Sequence, residues 1–205
     1  MPHKTAIMFA RQPQFGVVKT RLARDIGQLA ALSFYRNNLA SVSARLIKSS
    51  SFQFIVALTP ETAIHEGPGP ILNGLKLYPQ HIGNLDQRLL QSFRAFSNGP
   101  TVIIGSDIPD IDGDAIEEAF SSLGTSDAVF GPSDDGGYWL IGLKNRYAVP
   151  HNFLKSVRWS SAYALTDSVK TLPKHWKVSY IRSLEDVDDG ASHQRWRMKQ
   201  RKIDI

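Results

Sequence analysis

Strand-length apolar runs alternate with helical stripes along this chain, and that alternation constrains its fold class more than any motif does. Thr5 to Ala10, Phe52 to Leu58, Thr101 to Gly105, Ala128 to Phe130, Tyr138 to Leu143 and Lys177 to Ile181 read as strands. Leu75, Leu77 and Pro79 alternate with polar neighbours and add a short one. Between them lie three apolar stripes at helical spacing: Leu29, Leu32, Tyr35, Leu39, Val42 and Leu46; Leu85, Leu89, Phe93 and Phe96; Ile116, Ala119, Phe120 and Leu123. Residues 60–73, with Pro60, Gly67, Pro68, Gly69 and Pro70, read as a loop. This order predicts a three-layer α/β/α domain around a mostly parallel sheet. Residues 127–131 and 138–143 are joined by a loop rather than a helix, so a mixed sheet is expected there. No linker or repeat divides the 205 residues, which predicts one domain over 1–205.

Composition narrows the function classes. Cysteine is absent, which excludes disulfides, thiolate zinc sites and a cysteine nucleophile. No apolar run approaches the roughly 18 residues of a membrane helix. The first run reaches Arg11 too soon for a signal-peptide core, so a cytoplasmic protein is expected. The net charge of +5 is concentrated in residues 195–205, where Arg195, Arg197, Lys199, Arg201 and Lys202 face only Asp204. The rest of the chain is near neutrality, which argues against a nucleic-acid partner. The basic tail reads as a solvated helix end.

In open α/β sheets, ligands bind outside the carboxyl ends of the strands. Cations follow the first strand: Arg11, Lys19 and Arg21, with Gly16 and Thr20. Gln80, His81 and Gly83 follow the third, and Ser106, Asp107 and Pro109 the next. Ser133, Asp134, Asp135, Gly136 and Gly137 follow the fifth, and Glu185, Asp186, Asp188 and Asp189 the last. Cations at one end and acids at the others suit an anionic ligand held partly through a divalent metal.

Each segment also has a plainer reading. Gly16, Lys19, Thr20 and Arg21 offer the glycine, helix start and cations of a phosphate-binding loop, or an ordinary surface turn. Asp107 is placed by the following Ile108-Pro109 as a ligand for Mg²⁺ or Mn²⁺, or it closes a turn; Asp110 and Asp112 read as helix caps. Asp135-Gly136-Gly137 permits close ligand approach, or makes a hairpin turn. At most one of Tyr138 and Trp139 is expected to face a cleft, since neighbours in a strand point oppositely. Asp186 and Asp188 share a direction if extended and either complete a metal site or cap the last helix. His81, His151 and His193 lack metal-ligand spacing.

With these residues in place, the chain resembles the small bacterial transferases of the nucleotide-diphospho-sugar transferase (glycosyltransferase-A, Rossmann-like) fold. These include the radical-SAM/selenodomain-associated transferase-like family, related to 2-phospho-lactate and molybdenum-cofactor guanylyltransferases. The resemblance spans roughly residues 5–190. It rests on Phe9-Ala10-Arg11-x-Pro13-x-x-Gly16-x-x-Lys19-Thr20-Arg21-Leu22, Gly105-Ser106-Asp107-Ile108-Pro109, Gly131-Pro132, Asp135-Gly136-Gly137-Tyr138-x-Leu140-Ile141-Gly142-Leu143, and Trp159-Ser160. It implies a nucleotide or nucleotide-sugar bound through Arg11, Gly16, Lys19, Thr20, Arg21, Gly83 and Arg88. It further implies Mg²⁺ or Mn²⁺ on Asp107 with Asp188 as second ligand, catalytic roles for Asp107 and Asp135, and a small acceptor near Gly136, Gly137, Tyr138 and Trp159. Two segments depart from the family pattern. Gly83-Asn84-Leu85-Asp86-Gln87-Arg88-Leu89 replaces a Gly-Asp-Leu-Gly before an Arg-Leu pair, and Asp186-Val187-Asp188-Asp189 replaces an Asp-x-Asp-Thr.

The expected function is a metal-dependent transferase that moves a glycosyl or nucleotidyl group from a nucleotide-activated donor. The alternative is a non-catalytic nucleotide- or phosphometabolite-binding protein on the same fold.

Overall fold

The computed structural model describes residues 3–67, 69–146 and 148–203. Pro68 and Asp204, and the side chain of Lys202, lie outside the described residues. The expected strands are present: β1 (Thr5–Arg11), β2 (Gln53–Thr59), β3 (Leu77–Pro79), β4 (Thr101–Gly105), β5 (Ala128–Pro132), β6 (Tyr138–Leu143) and β7 (Val178–Tyr180). They form one sheet in the order β3-β2-β1-β4-β6-β5-β7. β6 runs antiparallel to both β4 and β5, and the other pairs are parallel. The β5–β6 hairpin causes this exception: a short turn can only return the chain antiparallel.

The helices are α1 (Thr20–Ile26), α2 (Gln28–Leu46), α3 (Ala63–Glu66), α4 (Leu85–Ala95), α5 (Gly113–Thr125), α6 (Ala164–Lys170) and α7 (Gly190–Ile203). α3 and a 3-10 turn over Pro70–Leu72 lie inside the segment read as loop. α6 has too few apolar repeats to show in the sequence. Asp112 caps α5 by accepting from the Ala115 amide at 2.8 Å.

Alternate residues of β1 divide the core into two layers. Ala6, Met8 and Ala10 pack with Tyr35, Leu39, Val42 and Leu46 of α2 and with Ile116, Ala119 and Phe120 of α5. Ile7 packs on the opposite face with Leu89 and Phe93 of α4, Phe130, Ile141 and Phe153. Helices on both faces of a parallel-dominated sheet bury each strand on both sides, which is why the strands read as continuous apolar runs. Leu29 corrects the first helical stripe. It is 74% exposed, and Ala31 and Phe34 supply the buried positions instead. No helix among the described residues is long and apolar enough to cross a membrane.

Candidate functional site

The chain leaves β1 for β2 and β3 on one side and returns through β4 on the other. Sheets of this kind open a crevice at such a switch point, because the loops diverge there. Arg11 ends β1, and Asp107 follows β4 two residues beyond Gly105, which pairs with Phe9. The crevice mouth is therefore set between these two residues.

Tyr35 and Asn38 of α2 hold both loops. The Tyr35 hydroxyl accepts from the Arg11 amide at 2.9 Å and donates to the Arg11 carbonyl at 2.8 Å. Asn38 Nδ2 donates to the Ser106 carbonyl at 2.7 Å. Burial pushes the Tyr35 phenol up to about 12, so it stays neutral and can serve both roles. In the sequence Tyr35 is indistinguishable from a core residue, and its polar work is visible only in three dimensions.

Lys19 occupies the N-cap of α1 with a left-handed backbone, φ 51°, and no side-chain cap bond. Its side chain, 4% exposed, places Nζ 3.0 Å from Asp107 Oδ1 and 2.7 Å from Asp188 Oδ1, and donates to the Val187 carbonyl at 2.6 Å. Three partners match the three N–H bonds of an ammonium. The Val187 amide in turn donates to the Asp107 carbonyl at 3.0 Å, tying the 184–189 segment to the β4 loop. Burial disfavours the Lys19 charge, but Asp107 and Asp188 outweigh it and raise its pKa. Burial and the Asp188 charge raise the Asp107 carboxyl against the opposing pull of Lys19. Asp186 is pushed up to about 6, first by burial and then by the charges of Asp188 and Asp135. Capping of α7 falls instead to Asp189, whose Oδ1 accepts from the Ser192 amide at 2.8 Å. Lys19 is thus committed to carboxylates in this structure, where the sequence reading had it on phosphates.

Two cavities flank Asp107. The first, about 320 Å³, is lined by Arg11, Lys19, Tyr35, Thr59, Gln80, Arg88 and Asp107, among others. Arg88 Nη1 donates to Gln80 Oε1 at 2.8 Å, and Gln80 Nε2 is anchored on the carbonyls of Ala10 and Ala57, both at 2.8 Å. Burial and the charge of Arg11 lower the Arg88 pKa. Neither Arg11 nor Arg88 forms an ion pair among the described residues. Two like charges held together without a counter-charge favour an anion between them. Gly83, with φ 138°, precedes α4, where Asn84 and Gln87 form a reciprocal capping box. Asn84 therefore serves as a helix cap, a role that an Asp would fill equally well. Gly16, Thr20, Arg21 and Gly83 line neither cavity.

The second cavity, about 250 Å³, has a wall of Phe9, Leu85, Leu89, Ile103, Ile108, Ile141, Tyr138, Trp139 and Trp159. Its polar groups are Asp107, Ser133, Asp135, Ser160, Ser161 and Asp186. Asp135 Oδ1 also accepts from the Gly137 amide at 2.8 Å, so the residue both closes the hairpin turn and faces the cavity. Gly136 adopts φ 83° and abuts Ala162, where a Cβ would collide with backbone; its carbonyl accepts from the Leu165 amide at 3.1 Å. Gly136 thus seats the 160–165 segment rather than lining the cavity. Tyr138 and Trp139 pack their rings on opposite sheet faces, as strand alternation requires, and both residues border this cavity. The wall residues Phe9, Leu85, Leu89, Ile103 and Ile141 read in the sequence only as core.

Two of the three histidines singled out in the sequence have side-chain partners: His81 Nε2 is 3.0 Å from the Tyr78 hydroxyl, and His193 packs on Phe34 and Trp196. In the basic tail, Arg195 and Lys199 hold Glu185 at 2.6 and 3.3 Å.

For a divalent ion, the structure offers a pair rather than a cluster. No group of three or more His, Cys, Asp or Glu side chains suited to a metal occurs among the described residues. Asp107 and Asp188 nevertheless converge on one cation, the Lys19 ammonium. Two carboxylates fit Mg²⁺ or Mn²⁺, which take one or two from the protein and the rest from phosphate and water.

Known proteins resemble this chain in both sequence and fold. The family model described as "Uncharacterized protein conserved in bacteria (DUF2064)" matches residues 42–161. No curated protein matches in sequence. A candidate nucleotide-diphospho-sugar transferase from Desulfovibrio desulfuricans G20 superposes with TM-score 0.80 at 25% identity, over 92% of this chain and 84% of that one. CMP:2-keto-3-deoxy-manno-octonic acid synthetase complexed with CTP superposes with TM-score 0.59 at 10% identity, over 98% of this chain and 99% of that one. Rv0371C from Mycobacterium tuberculosis H37Rv, in complex with manganese, superposes with TM-score 0.53 at 11% identity, over 95% and 97%. The fold is that of the nucleotide-diphospho-sugar transferases.

Proposed function

This chain belongs to the DUF2064 family, and we propose that it is a metal-dependent transferase acting on a nucleotide-activated donor, either a nucleotide-sugar or an NTP. One observation carries the reading: a cavity with two guanidinium groups lacking carboxylate partners adjoins a pair of carboxylates at the sheet's switch point. Phosphates compensate the first, and a divalent cation compensates the second. The named structures complexed with CTP and with manganese support both halves by analogy of fold.

In this reading Arg11 and Arg88 bind the diphosphate, and Tyr35, Asn38 and Gln80 keep their loops in position. Asp107 and Asp188 would hold the metal, which would supply neutralisation of charge on the leaving diphosphate or pyrophosphate. Lys19, which lines the same cavity as Arg11 and Arg88, would then be free to pair with those phosphate oxygens. The acceptor sits in the second cavity beside Asp135 and Asp186. Its oxygen forms a bond to the transferred group as the bond to the leaving phosphate breaks, and its proton passes to a carboxylate. Analysis of products with NTPs and sugar nucleotides in Mn²⁺ tests this. Pyrophosphate release identifies nucleotidyl transfer, nucleoside diphosphate release identifies glycosyl transfer, and absence of both contradicts an enzyme of this class.

The Lys19 ammonium favours a second reading, since it already neutralises the carboxylate pair. A phosphometabolite-binding protein would need no metal and would bind its anion at Arg11 and Arg88 unchanged by EDTA.

A further inference from the structure

We infer that the acceptor is a small uncharged alcohol with an apolar body, and not a phosphorylated sugar or any other anion. The inference rests on the proposed transferase reading and concerns the second cavity.

Charge excludes an anion. The ionisable acids lining this cavity are Asp107, Asp135 and Asp186, and no Lys, Arg or His lines it. Even with a divalent cation on Asp107 and Asp188, a phosphate or carboxylate placed there would face Asp135 and Asp186 with no cationic side chain among the lining residues. Lys19 lines the adjoining cavity and not this one, and its ammonium is taken up by Asp107, Asp188 and the Val187 carbonyl or, in the transferase reading, by the donor phosphates. The contrast with the adjoining cavity, where Arg11 and Arg88 have no carboxylate partner, is direct. The two cavities therefore select for different chemistry: phosphates in one and a group without negative charge in the other, where the apolar wall disfavours a charged body of either sign.

The apolar wall then disfavours a polyol. Leu89, Ile103 and Ile141 are nearly fully buried, and Phe9, Leu85, Ile108 and Trp159 complete the apolar wall. The polar atoms of the two remaining aromatic residues are already engaged. The Tyr138 hydroxyl pairs with Ser168 Oγ at 3.1 Å, and Trp139 Nε1 donates to the Arg182 carbonyl at 3.1 Å. Every sugar hydroxyl pressed against this wall would lose its water without a new partner, at a cost of about tenfold in affinity each. Ser161 Oγ already donates to the Arg158 carbonyl at 2.6 Å, which leaves Ser133, Ser160 and the carboxylates for the reacting hydroxyl, whose proton a carboxylate accepts. The volume of about 250 Å³ lies below the roughly 300–1,000 Å³ of pockets for drug-sized ligands, so the acceptor is small. The attacking atom is then an alcohol oxygen rather than a phosphate oxygen.

Isothermal titration of the full chain, with and without UDP and Mn²⁺, tests the assignment. The probes are 2-phenylethanol, 2-phenylethyl phosphate, 2-phenylethylamine and glucose 1-phosphate. The alcohol should bind saturably, and at least about tenfold tighter than its phosphate ester and the sugar phosphate. Ala164→Leu, which fills the cavity from α6, should abolish alcohol binding while leaving UDP binding unchanged; Ser161→Phe offers the same block from the rim if the first variant fails to fold. Tighter binding of the phosphate ester, the sugar phosphate or the amine overturns the assignment, as does alcohol binding that survives a folded blocking variant. Loss of UDP binding with alcohol binding intact would instead strike at the transferase reading.

Discussion

Lys19 Nζ lies 2.7 Å from Asp188 Oδ1, a contact between residues 169 positions apart. It joins the loop after β1 to the segment after β7, and through Asp107 it also joins both to the loop after β4. An ammonium between two carboxylates is the charge arrangement a divalent ion would also satisfy.

Lys19→Met leaves Asp107 and Asp188 facing each other without a counter-charge. Losing one partner of a fully buried pair costs about 3–5 kcal/mol, and the partial exposure of both carboxylates reduces this to about 1–3 kcal/mol. A chain of this length should then melt roughly 2–12 °C lower. Mn²⁺ should restore much of the loss in Lys19→Met and change wild type little, as differential scanning calorimetry would show.

Arg11→Ala and Arg88→Ala should each weaken diphosphate binding roughly ten- to hundredfold, since a charge-assisted hydrogen bond contributes about 1.5–3 kcal/mol. Affinity for the unphosphorylated nucleoside should hardly move. Equal losses for nucleoside and nucleotide in parallel titrations would remove the phosphate role.

Tyr35→Phe deprives the Arg11 amide and carbonyl of their partner. Unpaired, these groups cost roughly 1–3 kcal/mol, a fall of about 2–12 °C in the melting midpoint. Nucleotide affinity should fall as well, because Tyr35 holds the Arg11 backbone at the mouth of the first cavity. Unchanged affinity in a destabilised Tyr35→Phe protein would confine Tyr35 to packing.

The succession of strands and helices along the chain was legible because buried strands and half-buried helices differ in period; the order of the strands within the sheet was not, since it depends on contacts between distant segments. The β5–β6 turn was legible from its glycines. Leu29 misled because a helix stripe one residue too wide looks the same in sequence. α6 was hidden because its segment is held by long-range contacts rather than by its own amphipathic repeat. Within the candidate site, Asp107, Asp188 and Arg11 stand where their strand ends predicted. The attachment of Lys19 to two acids was not legible, because only the fold brings residues 19, 107 and 188 together. The apolar acceptor wall was equally hidden, since cavity and core residues share one composition.

Asp167 gives a dependence on pH. Arg158 holds it through bonds at 2.7 and 2.9 Å, and the hydrogen bond and charge of Arg158 depress its carboxyl to about 2. A carboxyl lowered in the folded state contributes stability above its unfolded pKa, and that contribution disappears as pH falls through the folded one. Wild type should therefore exceed Asp167→Asn in urea midpoint at pH 7, and the two should converge between about pH 4 and pH 2. A constant gap across that range would show that the ion pair is not the cause.

The account's central claim is that nucleotide and metal meet at Asp107. Thermal melts of wild type and Asp107→Asn, with nucleotides and nucleotide-sugars in Mn²⁺ or EDTA, test it most directly. A ligand at a hundred times its dissociation constant stabilises the fold by about 2.7 kcal/mol, or roughly 5–10 °C for this length. At least one ligand should give wild type that rise in Mn²⁺ and much less in EDTA, while Asp107→Asn should show a smaller rise that EDTA hardly alters. No rise with any nucleotide, or a full rise in wild type that EDTA leaves intact, would contradict the claim.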